Sequence, residues 1–388
     1  MRALLQFAVI AALVVPLAAG PAAAAAPQPA SATSGRLACS WRVVPSPSRG
    51  ASGLSAVAVT SGKDAWAVGS HDTGSGPRTL IEHWNGIRWK VVPSRDPATG
   101  PLETDTLIGV VAVSKSNAWA FGFYEKATTS FRTLVEHWNG ASWSVVPSPN
   151  SGNGENVLAA AAVVTPSDIW AVGYRNGPGP RRTLVERWNG AKWRIVPSPS
   201  PGPRNGDSIL FGVAVVSARQ AWAVGTQPTS FSQALAIRWN GSKWLTTKTA
   251  NPGQGDRFLY GVAAPSATYA LAVGSDLAGQ QTRALAERWN GSAWSVVPSA
   301  SPDADYNSLN AVAARNPANA WAVGDRRANP GARFTTLVEH WNGRAWSQVR
   351  SPSPGRGDDQ LFGLAALPKN GGFLAVGSAG QNTLVERC

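Results

Sequence analysis

From Cys39 to Cys388 the chain is written in short apolar, β-prone runs separated by turn-forming residues, and the pattern returns about every 50 residues. Its most visible element is an apolar stretch ending in glycine, as in Trp66-Ala67-Val68-Gly69, Trp119-Ala120-Phe121-Gly122 and Trp170-Ala171-Val172-Gly173. It recurs at 222–225, 271–274, 321–324 and 374–377, which makes seven copies spaced 49 to 53 residues apart. A β-prone run such as Leu54 to Val59 precedes each copy. A variable loop follows it, then a segment like Thr133-Leu134-Val135-Glu136-His137-Trp138, an Asn139-Gly140 pair and a last run, Trp143 to Pro147. The repeat therefore predicts four strands, lettered a to d in chain order. Asn-Gly between two β-prone runs marks a hairpin because both residues tolerate positive φ. Pro147 and its equivalents end strand d, where a missing N–H is harmless on an outer edge.

Strands a to c occur seven times, but the count of strand d is complete only if Trp41 at the start is included. Ser40-Trp41-Arg42-Val43-Val44-Pro45-Ser46-Pro47 matches Lys192-Trp193-Arg194-Ile195-Val196-Pro197-Ser198-Pro199, while the last repeat stops at Glu386-Arg387-Cys388. The expected fold is all-β: a seven-bladed β-propeller of four-stranded blades, closed by the N-terminal strand d completing the C-terminal blade. This removes the unpaired seam. Cys388 takes the place of Trp188 and Cys39 that of Ala191, so the two sulfurs meet where the covalent c–d turn is absent. A Cys39–Cys388 disulfide would close a ring of about 350 residues, worth roughly 5–6 kcal/mol as an upper figure.

The 18 tryptophans follow the same register. Five open strand b, six close strand c and seven open strand d, and repetition at every blade predicts core between blades rather than a ligand platform. With Gly69, Trp84 and Trp89 in the first repeat, and similar matches throughout, the pattern resembles the kelch-repeat, galactose-oxidase-like propellers. It departs from them at the second glycine, replaced by Ser70, Phe123, Tyr174, Thr226, Ser275, Asp325 and Ser378.

Composition adds a compartment. Leu4 to Ala19 is almost wholly apolar behind Arg2, and small residues run from Gly20 to Ala26, which reads as a secretory signal over 1–26 with cleavage between 23 and 32. A short flexible lead, 27–38, precedes the propeller of 39–388. The uninterrupted apolar run is shorter than the roughly 20 residues of a membrane span, so the expected product is released outside the cell, free or at its surface, as a monomer with no membrane association. The net charge of +13 is spread over scattered arginines. No polybasic tract or basic helix with interleaved aromatics points to nucleic acid.

No catalytic constellation is expected. The copper ligands and Tyr–Cys link of galactose oxidase have no counterpart, since both cysteines are assigned to closure. His83, His137 and His340 share a repeat position with Arg187, Arg238, Arg288 and Arg387, which argues against metal ligation. Asp-boxes and a Gly-x-Ser-x-Gly elbow are absent from the sequence. No metal and no cofactor is predicted. Glu82, Glu136, Glu186, Glu287, Glu339 and Glu386 precede that basic residue. Because strand neighbours face opposite ways, they are expected to form ion pairs with basic residues of the next blade.

A ligand would meet the irregular b–c and d–a loops, which share one face. Candidate binding residues just past strand b are His71, Tyr124, Arg175, Gln227, Asp276 and Arg326. A second set, Glu155, Asp207, Asp256 and Asp358, follows glycine ahead of strand a, where it serves either a polar funnel or plain turn formation. The sequence thus points to a secreted, non-catalytic binding or scaffold module recognising glycan, cell-wall polymer or a protein partner. A polysaccharide-active lyase or hydrolase on the same face, and a purely structural surface protein, are the alternatives.

Overall fold

The computed structural model describes residues 39–388 apart from 128–129, 204, 252–254 and 370. The signal segment and lead, 1–38, lie outside the described residues. Among the described residues there are 28 strands and no helix. They form antiparallel sheets in the order a-b-c-d, and five of these are separate four-stranded sheets. The fifth and sixth repeats are joined into one larger sheet by a single parallel bridge, Thr282 to Tyr306.

The turn between c and d differs from the expected one. Only its glycine takes positive φ, as at Gly140 (+97°). The asparagine instead uses its side chain: Asn139 Oδ1 accepts the N–H groups of Ala141 and Ser142 at 2.9 and 3.0 Å. The loop 139–142 between the two strands is thus closed by an Asx turn.

The chain ends meet as predicted. Arg42–Val43 pairs antiparallel with Asn382–Arg387, matching Arg42 to Arg387 and Val43 to Glu386. The Cys39–Cys388 disulfide lies just beyond, with Cα atoms 5.1 Å apart. The sheet so completed packs on the first one. Gly363 lies against Ala56, and a Cβ there would stand 2.8 Å from the Ala56 Cα. The inner strands touch in succession: Ser52–Ser61, Thr104–Ser114, Asn156–Thr165, Ile209–Ser217, Asp256–Ser266, Tyr306–Asn316, Asp359–Ala366, and back to the first.

The core lies between successive sheets. Trp66 of strand b packs on Trp138 and Trp143 of the next sheet, with ring centroids 5.0 and 5.1 Å away. Trp170 repeats this with Trp239 and Trp244 at 4.9 and 5.2 Å. Leu271 and Leu374 stand where the tryptophan is missing, against Trp341–Trp346 and Trp84–Trp89. Trp41 of the N-terminal strand fills the same slot for Trp321, at 5.6 Å.

The expected Glu–Arg and Glu–His ion pairs do not form. All six glutamates are fully buried, and those with partners reach the segment after strand d of the preceding sheet. Glu136 Oε2 accepts from the Arg95 N–H (3.0 Å), Glu287 Oε2 from Ala250 (3.1 Å) and Glu339 Oε2 from Ala300 (3.2 Å). In the other repeats a proline, without an N–H, holds the donor's place. Glu186 at Pro149 is left with a serine hydroxyl, Glu82 at Pro47 and Glu386 at Pro352 have no hydrogen-bond partner, and at Pro199 the facing residue is Ile237. Four of the basic residues, His83, His137, Arg187 and His340, turn to the residue that opens strand b of their own sheet. Arg187 grips Asp168 at 2.6 and 2.7 Å, and His83 meets Asp64 at 2.7 Å. Both also stack on that strand's tryptophan, at 4.6 Å for Arg187 on Trp170 and 4.2 Å for His83 on Trp66.

Candidate functional site

The first set of candidates lies inside strand b rather than past it, because strand a pairs with b to its last residues; His71 faces Ser52 and Tyr124 faces Asp105. Each side chain serves its own neighbourhood. Arg175 Nη1 donates to Ser151 Oγ (3.0 Å) and Gln227 Nε2 to the Ala234 carbonyl (3.5 Å). Asp276 meets Arg257 at 3.3 Å and Arg326 meets Asp303 at 3.3 Å. Tyr124 carries the Lys126 ammonium 5.9 Å from its ring centroid. His71 is half-buried, and that burial, ahead of the nearby charges, lowers its pKa. Among the described residues no hydrogen bond, ion pair or ring contact joins two of these six.

The second set links sheets. Asp207, Asp256 and Asp358 accept the N–H of Arg181 (2.8 Å), Ser232 (2.6 Å) and Phe334 (2.9 Å), each at the start of strand c in the preceding sheet. Glu155 takes the Arg181 Nε at 3.1 Å. The three aspartates cap backbone at the sheet boundaries, and Glu155 and Asp207 meet on one guanidinium, with Asp207 Oδ2 3.5 Å from Arg181 Nη1.

What sequence reasoning missed is a bulge in every inner strand. The register against strand b slips at the same point in each repeat, after Leu54, Leu107, Leu158, Leu210, Leu259, Leu309 and Leu361. The residue after that leucine is unpaired, as a β-bulge requires: Ser55, Ile108 and Ala159, then Phe211 and Tyr260, then Asn310 and Phe362. Because the inner strands succeed one another, these side chains form a collar at the end carrying the b–c and d–a loops. The only signal in the sequence was negative: at this position the repeats stop agreeing.

One arc of the collar is aromatic. Phe211 and Tyr260 meet edge-on at 5.5 Å, and Phe258 stacks on Tyr260 at 6.0 Å. The Tyr260 hydroxyl lies 3.2 Å from Ser275 Oγ, and burial pushes its pKa up to about 12. The adjoining arc is polar. Asn310 Nδ2 donates to Asp325 Oδ1 at 2.8 Å and to the Leu361 carbonyl at 2.9 Å, which fixes its orientation. Burial raises the Asp325 carboxyl to about 6, with Asn310 and Gln360 pulling it back down. Among the described residues no group of three or more His, Cys, Asp or Glu side chains is arranged to hold a metal. Phe211 and Phe258 are buried in an apolar cluster with Ile108 and Tyr174, and Tyr260 and the Asn310 amide are the partly exposed groups of these two arcs.

No family model matches the chain, and no curated protein matches it. Solved structures do. The chain is similar to the structure described as YCF48 bound to D1 peptide, with a TM-score of 0.54 and 11% identity over 97% of this chain and 99% of that one. It is also similar to the WD40 β-propeller domain of Doa1, with a TM-score of 0.57 and 10% identity over 90% of this chain and 97% of that one. At such identities the likeness establishes the fold, a β-propeller, and nothing finer.

Proposed function

We propose that this β-propeller is a secreted, non-catalytic binding module that holds a segment of a protein partner against its bulge collar. Its sheets are read as seven blades of a closed ring built on a kelch-like repeat. What supports the ring is the contact of the last inner strand with the first and the pairing of the two chain ends. Export rests on the N-terminal apolar segment together with the disulfide, a bond of oxidising compartments.

The observation that carries the binding role is the contrast between positions. Buried glutamate, tryptophan and glycine recur from blade to blade because each blade must fit the next. The bulged residue is released from the ladder and differs in nearly every repeat. A position freed from the scaffold and individually varied is available for recognition. A peptide is favoured as the ligand because one propeller of similar fold is described in complex with a peptide, and because an aromatic arc beside a fixed amide, whose N–H groups are spent on Asp325 and Leu361 and whose oxygen has room to accept, matches a side chain next to a backbone N–H.

Selection of a displayed peptide library on the purified chain tests this. Peptides are expected to be enriched, and Phe211→Ala and Tyr260→Ala to weaken their binding at least tenfold with the fold intact. Enrichment insensitive to both changes, or retention on a glycan array in its place, would remove the reading.

A further inference from the structure

The sixth blade breaks the repeat at three positions, and all three line one cavity. This cavity, of about 390 Å³, is bordered by Arg326, Thr335, Gln348 and Arg350, over a floor that includes Thr336 and Ser351. Thr335 stands where four other repeats carry arginine (Arg78, Arg132, Arg182, Arg283). Gln348 replaces the valine or isoleucine of Val91, Val145, Ile195 and Val296, and Arg350 replaces the proline of Pro93, Pro147, Pro197 and Pro298. The fourth repeat also has a cation at the proline position, Lys248, but keeps the longer Gln233 at the place of Thr335. Only the sixth blade combines a short side chain with the added charge.

The missing arginine's structural work is done from elsewhere. Arg132 Nη1 donates to the Gly152 carbonyl at 2.9 Å, holding the d–a loop of the following sheet. In the sixth blade Arg333, two residues earlier than the usual position, donates to the corresponding carbonyl of Gly355 and to that of Gly357. The loop is held and the space beside Thr335 stays open.

The floor belongs to the scaffold: the 2.7 Å bond between Thr336 and Ser351 hydroxyls repeats that of Thr183 and Ser198 at 2.8 Å. The three departures are different. Among the described residues, the Thr335 hydroxyl, the Gln348 amide and the Arg350 guanidinium make no hydrogen bond and no ion pair. Arg326 spends one nitrogen on Asp303 at 3.3 Å, and its buried Nε has no hydrogen-bond partner. Two guanidiniums, an amide and a hydroxyl around a polar cavity of this size make a receptor for a negatively charged, hydrogen-bonding molecule.

We propose that the sixth-blade cavity is a second binding site, separate from the collar, which takes an oxyanion group carried on a small polar molecule. Arg326 and Arg350 bind the anion, while Thr335 and Gln348 hydrogen-bond what carries it. The site is independent of whether the collar holds a peptide.

Isothermal titration calorimetry of the purified chain decides it, with D-glucuronate, inorganic phosphate and an acidic tripeptide as probes and D-glucose as the neutral control. At least one anion is expected to bind where glucose does not, more weakly as salt is raised, and the one that binds identifies the carrier. Thr335→Gln, the residue of the fourth repeat, fills the cavity without adding charge, and Arg350→Pro removes its added charge. Both restore residues that other blades already tolerate, so each is expected to weaken binding at least tenfold without lowering the melting temperature. No anion binding above the glucose control, or binding that survives Thr335→Gln unchanged, would overturn the proposal.

Discussion

Ser148 Oγ donates a 2.6 Å hydrogen bond to Glu186 Oε2 across the boundary between the second and third sheets. Glu136, Glu186, Glu287 and Glu339 each bond to the preceding sheet in this way, and with the unpartnered Glu82 and Glu386 they form a set of buried carboxyls whose titration governs the chain's response to pH.

Burial pushes Glu82, Glu136, Glu186 and Glu386 up to about 8, and Glu287 and Glu339 up to about 7, from 4.5. The folded chain therefore holds protons that the unfolded chain has released. Stability from these groups is complete below pH 4.5 and is lost as pH rises through 7 to 8. His71, His137 and His340, whose pKa values burial lowers from 6.5, act in the opposite sense but only below 6.5. The melting temperature is expected to fall from pH 6.5 to about pH 8 and to level off above it. Glu186→Gln should make that decline shallower, and a flat profile in the unmodified chain would contradict the assignment.

Glu82 has neither carboxylate oxygen bonded, and Ile237 occupies the equivalent place in the fourth repeat. Glu82→Ile should stabilise the fold at pH 8 by about 1–3 kcal/mol, the cost of a buried unsatisfied polar group. Urea midpoints of the two chains measure it, and a lower midpoint for the variant would count against this account.

The disulfide spans 349 residues of sequence. Replacing both cysteines by serine should lower stability by up to about 6 kcal/mol on the loop-entropy model. Because Arg42–Val43 pairs only with the C-terminal strand, hydrogen exchange should quicken first at residues 41–44. Uniform exchange across all sheets would show that the ends are not the weak point.

Gly173 has no unusual φ, yet a Cβ there would stand 2.0 Å from the Val157 carbonyl of the paired strand. Gly173→Ala is expected to cost about 3 kcal/mol through forced backbone displacement. Gly177→Ala, with nothing within 4 Å of the added atom, should be close to neutral. Equal thermal shifts for the two would refute the steric argument.

The four-stranded repeat, the tryptophan register and the pairing of chain ends were legible along the chain because each depends on local periodicity or on matching one repeat to another. The partner of each buried glutamate was not. Strand alternation told which way Glu186 points but not what the neighbouring sheet presents there, and that is backbone N–H, hydroxyl or proline rather than a cation. The candidate residues ending strand b were assigned to a face by loop position alone, and pairing with strand a drew them into the sheet edge.

The sequence by itself determined the unit and its multiplication, since a 50-residue period of apolar runs and turns can bury its faces only against copies of itself. Only the tertiary structure decided where the repeats are free to differ. The collar exists because a bulge lifts one residue of each inner strand out of the ladder, and the sixth-blade cavity because Arg333 does at a distance what an arginine at position 335 would have done. Both depend on which atoms of separate sheets come within bonding distance, and a linear pattern does not carry that information.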